Sequence, residues 1–206
     1  MTAWSIRLYT VCDELLWAAR LNLLWIAFTL LGGVVLGVGP ATVAAYTLAR
    51  RHAMGESFAV WTEFTAVYRR EFVRGSLLVL PLAAAAIVLF GNFLYFTALG
   101  PGTAALRLTT YAALVALVVV AAYLLPMYVH YDLRPRAYLP KASLFALTRP
   151  ASSLLLLFAL AAVMFAASSL PILALTLAVG GWIQLNTWLC LRFFAENEAR
   201  LHPKGD

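Results

Sequence analysis

Four stretches of this chain contain no aspartate, glutamate, lysine or arginine: residues 21–49, 75–106, 108–131 and 150–191. A helix needs about 20 apolar residues to cross a bilayer, because about 1.5 Å per residue must cover about 30 Å of hydrocarbon. Each stretch exceeds that length. In hydrocarbon every backbone polar group must be satisfied within the protein, so stretches of this kind fold as helices. Composition agrees. Charged residues are 12% of the 206 and hydrophobic ones 64%, whereas soluble domains carry about 25% charged residues. The mean hydropathy is +0.87. The chain reads as all-α, a polytopic transmembrane helical bundle forming one membrane-embedded domain over residues 1–206.

Residues 75–106 supply one span over about 76–97, then a Leu-Gly-Pro-Gly-Thr turn. Residues 108–131 supply another, and Pro126 kinks or ends it. Residues 150–191 are long enough for two, with Ser168, Ser169 and Pro171 marking the hairpin. Residues 21–49 are about 43 Å long as a helix, long for one span and short for two. Three arrangements fit: one helix kinked at Pro40, one span ending near Val38 before an interfacial helix, or two short helices in a hairpin around Gly-Gly-Val-Val-Leu-Gly-Val-Gly-Pro. Proline suits the first turn of a helix, which places the helix break at Gly37, Gly39 and Pro40. The expectation is five long spans plus a short Gly-Pro-started helix, hence five or six crossings.

Charge orients the bundle. Residues 50–74 hold five Lys/Arg, residues 132–149 four, and the tail over 192–206 three. These fall on one side if the later spans alternate, and only Arg107 falls opposite. That basic side is cytoplasmic by the positive-inside rule, with Arg50, Arg51, Arg69, Arg70 and Arg74 as cytoplasmic anchors. Two crossings or a re-entrant hairpin between Arg20 and Arg50 put the N-terminus inside; one crossing puts it outside. Arg7 and Arg20 favour inside. Phe58, Trp61, Phe64, Tyr68 and Phe72 recur at helical spacing, so 50–74 reads as an amphipathic cytoplasmic interfacial segment. Trp4 to Trp17 suggests a second interfacial helix, and residues 138–148 a third. The tail 192–206 is cytoplasmic. The net charge of +6 follows from this asymmetry and does not call for nucleic acid. The location is the inner, cytoplasmic membrane, with the lipid bilayer as first partner.

Nothing in the spans resembles a catalytic centre. The polar residues in apolar surroundings are Asn22, Asn92, Gln184 and Asn186. His52, His130 and His202 are far apart, and Cys12 and Cys190 form no metal or redox spacing. Metalloprotease, hydrolase and nucleotide-binding motifs are missing. No metal, cofactor or enzymatic activity is expected. Gln184 and Asn186 have two readings: a lining for a polar solute, or hydrogen-bonded helix packing. Gly33, Gly37, Ala41, Ala45 and Ala49 repeat every four residues, a helix-packing ridge that allows close approach.

The opening Asn22–Trp25 (Asn-Leu-Leu-Trp), the Gly39–Thr42 segment (Gly-Pro-Ala-Thr) and the Tyr-x-x-Glu-Phe of Tyr68–Phe72 resemble the YesL family, bacterial membrane proteins of about 200 residues with a domain of unknown function. The resemblance is specific over roughly the first 80 residues and matches the later spans in layout. Such proteins are often encoded beside carbohydrate ABC importers and glycoside hydrolases, so the resemblance implies a link to sugar uptake. It supplies no catalytic residues. The leading expectation is a non-enzymatic accessory or regulatory component of carbohydrate uptake, with an ABC permease or a second copy as partner. The alternative is an independent transporter of small solutes or saccharides.

Overall fold

The computed structural model describes residues 3–201, and among them every regular element is helical. No glycine or proline occurs between Ala3 and Leu31, so nothing stops the first helix, α1 (Ala3–Leu31). The segment expected to be a separate interfacial helix is the first half of this one; the side chains of Trp4 and Ile6 lie outside the described set. The chain reverses at Gly32–Val34, where Gly33 has φ 74° and Val34 φ 63°. Glycine adopts that left-handed backbone without penalty, and valine does not.

The second helix, α2, runs from Val35 to Ala53 with Pro40 inside it. The expected break at Gly37, Gly39 and Pro40 is therefore corrected: the chain breaks several residues earlier, at Gly33 and Val34. Pro40 removes the N–H that would bind the Leu36 carbonyl. The Ser76 hydroxyl lies 3.1 Å from that carbonyl and shares its proton with Phe72 of its own helix. An outside donor thus covers the gap and the helix continues. The nearby glycines serve contact instead. A Cβ on Gly37 would sit 2.3 Å from the Thr29 carbonyl oxygen, and one on Gly39 2.6 Å from the Ser76 Cα.

Next come α3 (Val60–Arg70), α4 (Phe72–Ala98), a 3₁₀ turn (Pro101–Thr103) and α5 (Ala104–His130). A second 3₁₀ turn (Pro135–Ala137) leads to α6 (Tyr138–Thr148), α7 (Pro150–Ser169), α8 (Pro171–Thr176) and α9 (Ala178–Leu201). Among the described residues, four helices are long and apolar enough to cross a membrane: Arg7–Leu31, Phe72–Ala98, Pro101–His130 and Pro150–Ser169. The expected fifth long span is not continuous. Its run is split at Leu177 between α8 and α9, and α9 then extends through the charged residues 192–201. His202 and the rest of the tail lie outside the described residues.

Two cores form. One joins α1, α2 and α3 through Trp17, Phe28, Tyr46, Phe64 and Ile183 of α9. The other joins α5, α6, α7 and α9 through Tyr123, Met127, Leu156 and Phe194. Helix α3 runs back along the α1–α2 pair. Arg51 bonds Glu63 near its start, and Tyr68 lies beside Gly32 near its end. Phe28 packs against Trp61, Phe64 and Tyr68 on the way. The α4–α5 hairpin joins this unit at the start of α4, where Gly75 and Ser76 are buried against Gly39 and Pro40 of α2, whereas none of the apolar window of α4 is buried within the chain.

Candidate functional site

The polar residues of the apolar runs are placed by backbone groups that lack helical partners. Asn22, 0% exposed on α1, accepts from the Val179 and Gly180 N–H groups at 3.0 Å each and donates to the Leu175 carbonyl at 2.7 Å. It closes the break between α8 and α9 from a distant helix, acting where a local N-cap would act. Asn186, also 0% exposed, donates to the Tyr46 hydroxyl at 2.8 Å and to the Ala122 carbonyl at 3.1 Å. That carbonyl is four residues before Pro126, so proline has removed its helical donor. Cys190 points its thiol at the same carbonyl and at Asn186. Neighbouring side chains thus re-satisfy backbone freed by proline, as apolar surroundings require.

Gln184 donates to Glu14, whose same oxygen lies 3.3 Å from His52 Nε2. His52 stacks on Trp17 with ring centroids 4.3 Å apart. Asn92 is exposed on α4. Of the small-residue ridge, Gly37, Ala41, Ala45 and Ala49 are buried in α2, while Gly33 is exposed in the turn. The basic residues have distinct roles. Arg50 Nε donates to His130 Nδ1 at 3.2 Å. Arg51 pairs with Glu56 and Glu63 and lies over Phe58. Arg70 pairs with Glu71. Arg69 and Arg74 are exposed.

Where α3 meets α4, beside the end of α5 and the start of α6, lies a polar cleft of about 680 Å³. Its chemistry comes from Glu71, Arg74, Tyr128, His130, Asp132 and Tyr138. Glu71 is 8% exposed and held twice, by the Tyr128 hydroxyl at 2.8 Å and by Arg70 at 3.2 Å. Tyr138 donates to the Tyr131 carbonyl and accepts from the Leu133 N–H, which fixes the wall. Tyr131, also on the wall, donates to Glu198 at 2.7 Å. Burial first, and the Glu198 bond second, raise its phenol above the ordinary tyrosine range and keep it a donor.

Arg50 can only donate, so His130 Nδ1 accepts and the ring proton sits on Nε2. No ion pair joins Arg74 or Asp132 to another described residue. The cleft therefore offers a cation, an N–H donor, a carboxylate and tyrosine rings. This set suits binding of a polar group. Among the described residues, no three His, Cys, Asp or Glu are grouped to hold a metal. The sequence marks Arg74 as an anchor, Glu71 within the Tyr68–Phe72 motif and His130 as a separate histidine, and does not bring the three together. The available signal was the crowding of charges and aromatics at the ends of two apolar runs, around Glu71–Arg74 and Tyr128–Asp132.

The described residues form an all-helical fold consistent with a membrane protein, with four helices long and apolar enough to span a bilayer and polar chemistry collected where two of them end. The family described as "Protein of unknown function, DUF624" matches residues 18–93, from α1 into α4. The chain is 32% identical to "Uncharacterized protein YesV" of Bacillus subtilis (strain 168) over 201 residues, 96% of each chain. It is 32% identical to "Uncharacterized protein YesL" of the same organism over 70% of this chain and 69% of that one. With "Uncharacterized protein YteU", also from there, it shares 28% over 80% of this chain and 75% of the relative. The chain belongs to this YesL-like family. No solved structure matches it.

Proposed function

We propose that this protein is a multi-pass protein of the cytoplasmic membrane that catalyses no reaction and serves carbohydrate uptake as an accessory or regulatory component beside an ABC-type permease. The observation that carries the reading is how its deepest polar groups are used. Asn22 and Asn186 are both 0% exposed and committed to joining helices. A transport path needs polar groups turned to a cavity near the membrane midplane. The pair that motivated an independent transporter, Gln184 and Asn186, is tied instead to Glu14 and Tyr46. Helix α4 packs on α2 and α5 but is buried only at Gly75 and Ser76, and its exposed apolar face is a surface that lipid or a permease span can cover. The sugar link itself rests on the family resemblance. Gentle solubilisation of the C-terminally tagged protein is expected to bring down a permease in stoichiometric amount. Repeated purifications from sugar-grown cells that contain none would sink this role.

The α1–α2 pair is best read as a re-entrant hairpin on the basic, cytoplasmic side, although α1 is long enough to cross. Support comes from α3, which follows α2 back to the Gly32 turn and carries exposed Arg69 and Arg70 there. Exposed arginines belong at headgroup depth. Helices α4, α5, α7 and α8–α9 then make the crossings. In a Cys12→Ser background, Gly33→Cys is expected to resist a membrane-impermeant maleimide applied to intact cells, while Gly102→Cys at the α4–α5 turn reacts. External labelling at position 33 would show that the hairpin crosses.

A further inference from the structure

The polar cleft does not end in polar walls. Leu77 lines both this cleft and a neighbouring apolar groove of about 490 Å³ between Leu36 of α2 and the α4 residues Phe72, Val73, Leu77, Pro81 and Ala84. From Phe72 to Ala84 the groove follows α4 for about 18 Å. Its position fixes its depth. Phe72 begins one candidate span and His130 ends the antiparallel one, so the cleft lies where hydrocarbon gives way to headgroups and the groove runs into the hydrocarbon. A polar site of mixed charge beside an apolar groove at that depth matches an amphiphile.

We propose that cleft and groove together hold one glycerophospholipid whose headgroup carries both a phosphate and an ammonium. The phosphate is met by the Arg74 guanidinium and the Nε2–H of His130, which are charge-assisted and neutral donors. The ammonium is met by the Asp132 carboxylate and the faces of the cleft tyrosines. Asp132 is the exposed carboxylate of the cleft, whereas Glu71 is 8% exposed and already bonded to Tyr128 and Arg70. One acyl chain lies in the groove along α4, where its burial adds favourable apolar contact. This binding is independent of any role in sugar uptake.

The test uses the full chain, purified and stripped of lipid, titrated with phosphatidylethanolamine or phosphatidylglycerol and read by native mass spectrometry. Phosphatidylethanolamine is expected to bind several-fold more tightly. Arg74→Gln is expected to weaken both lipids about tenfold, with Arg74→Lys restoring part of the loss. Asp132→Asn is expected to remove the preference for phosphatidylethanolamine without weakening phosphatidylglycerol. Ala84→Phe fills the groove and should weaken both lipids, while binding of soluble phosphoethanolamine stays unchanged. Thermal melts confirm that each variant is folded. Equal affinity for the two lipids in the wild type, or unchanged binding by folded Arg74→Gln, overturns the proposal. So does phosphoethanolamine binding as tightly as the lipid, which would identify a soluble ligand.

Discussion

Replacing Asn22 with leucine is expected to cost about 3–5 kcal/mol of stability and to lower the melting temperature in detergent by on the order of 10 °C. The side chain is 0% exposed and makes three hydrogen bonds to the backbone around the α8–α9 break. Leucine is of similar size, so little packing changes. What changes is that two N–H groups and one carbonyl lose their partners in apolar surroundings, and each unsatisfied group costs about 1–3 kcal/mol. Asn22→Asp gives an internal control. It keeps an acceptor for Val179 and Gly180 at the positive end of α9 but loses the donor to Leu175. Its melting point should therefore fall between those of leucine and the wild type. A leucine variant that melts with the wild type would show that α8 and α9 close their break without Asn22.

The role of Asn22 was not readable from its neighbours in the chain. Its partners lie more than 150 positions away, and short-range patterning cannot report a cap supplied across the bundle. The apolar runs, by contrast, carried the class of fold, because a run without charge constrains the backbone locally. The same contrast explains the first hairpin. A glycine-rich stretch announced a turn, and one of three arrangements open at that point was a hairpin there. Gly-Pro drew the break to Pro40, since a proline inside a helix normally leaves a carbonyl unpaired. Ser76, forty residues distant from Leu36, supplies the donor that makes Pro40 tolerable. Asn186 does the same for the carbonyl that Pro126 frees. That is the helix-packing reading of Asn186 raised from sequence, with the specific backbone partner visible only in the fold. The cleft was illegible for a similar reason. It draws Glu71 and Arg74 from one helix junction and Tyr128, His130 and Asp132 from the end of another helix.

Gly39→Leu is expected to be as damaging, for the opposite reason: it adds atoms where no space exists. A Cβ on Gly39 would lie 2.6 Å from the Ser76 Cα and 2.7 Å from the Gly75 carbonyl oxygen. On the facing helix, a Cβ on Gly75 would lie 3.1 Å from the Pro40 Cα. The obstacles are backbone atoms, which cannot rotate away, so α2 and α4 must move apart. Overpacking of this kind costs about 1–3 kcal/mol and at times more. Even Gly39→Ala should reach that range, and leucine should reach or exceed its upper end. Separation also pulls Ser76 away from the Leu36 carbonyl left open by Pro40, which adds a polar cost to the steric one. Gly91 on α4 supplies the contrast, since a Cβ there meets nothing within 4 Å. Gly91→Ala should be neutral or stabilising by up to about 1 kcal/mol, because alanine loses less backbone freedom in a helix. Melting curves for the two alanine variants should therefore move apart, Gly39→Ala downward and Gly91→Ala level or upward. Equal shifts would mean that α2 and α4 do not meet backbone to backbone at Gly39.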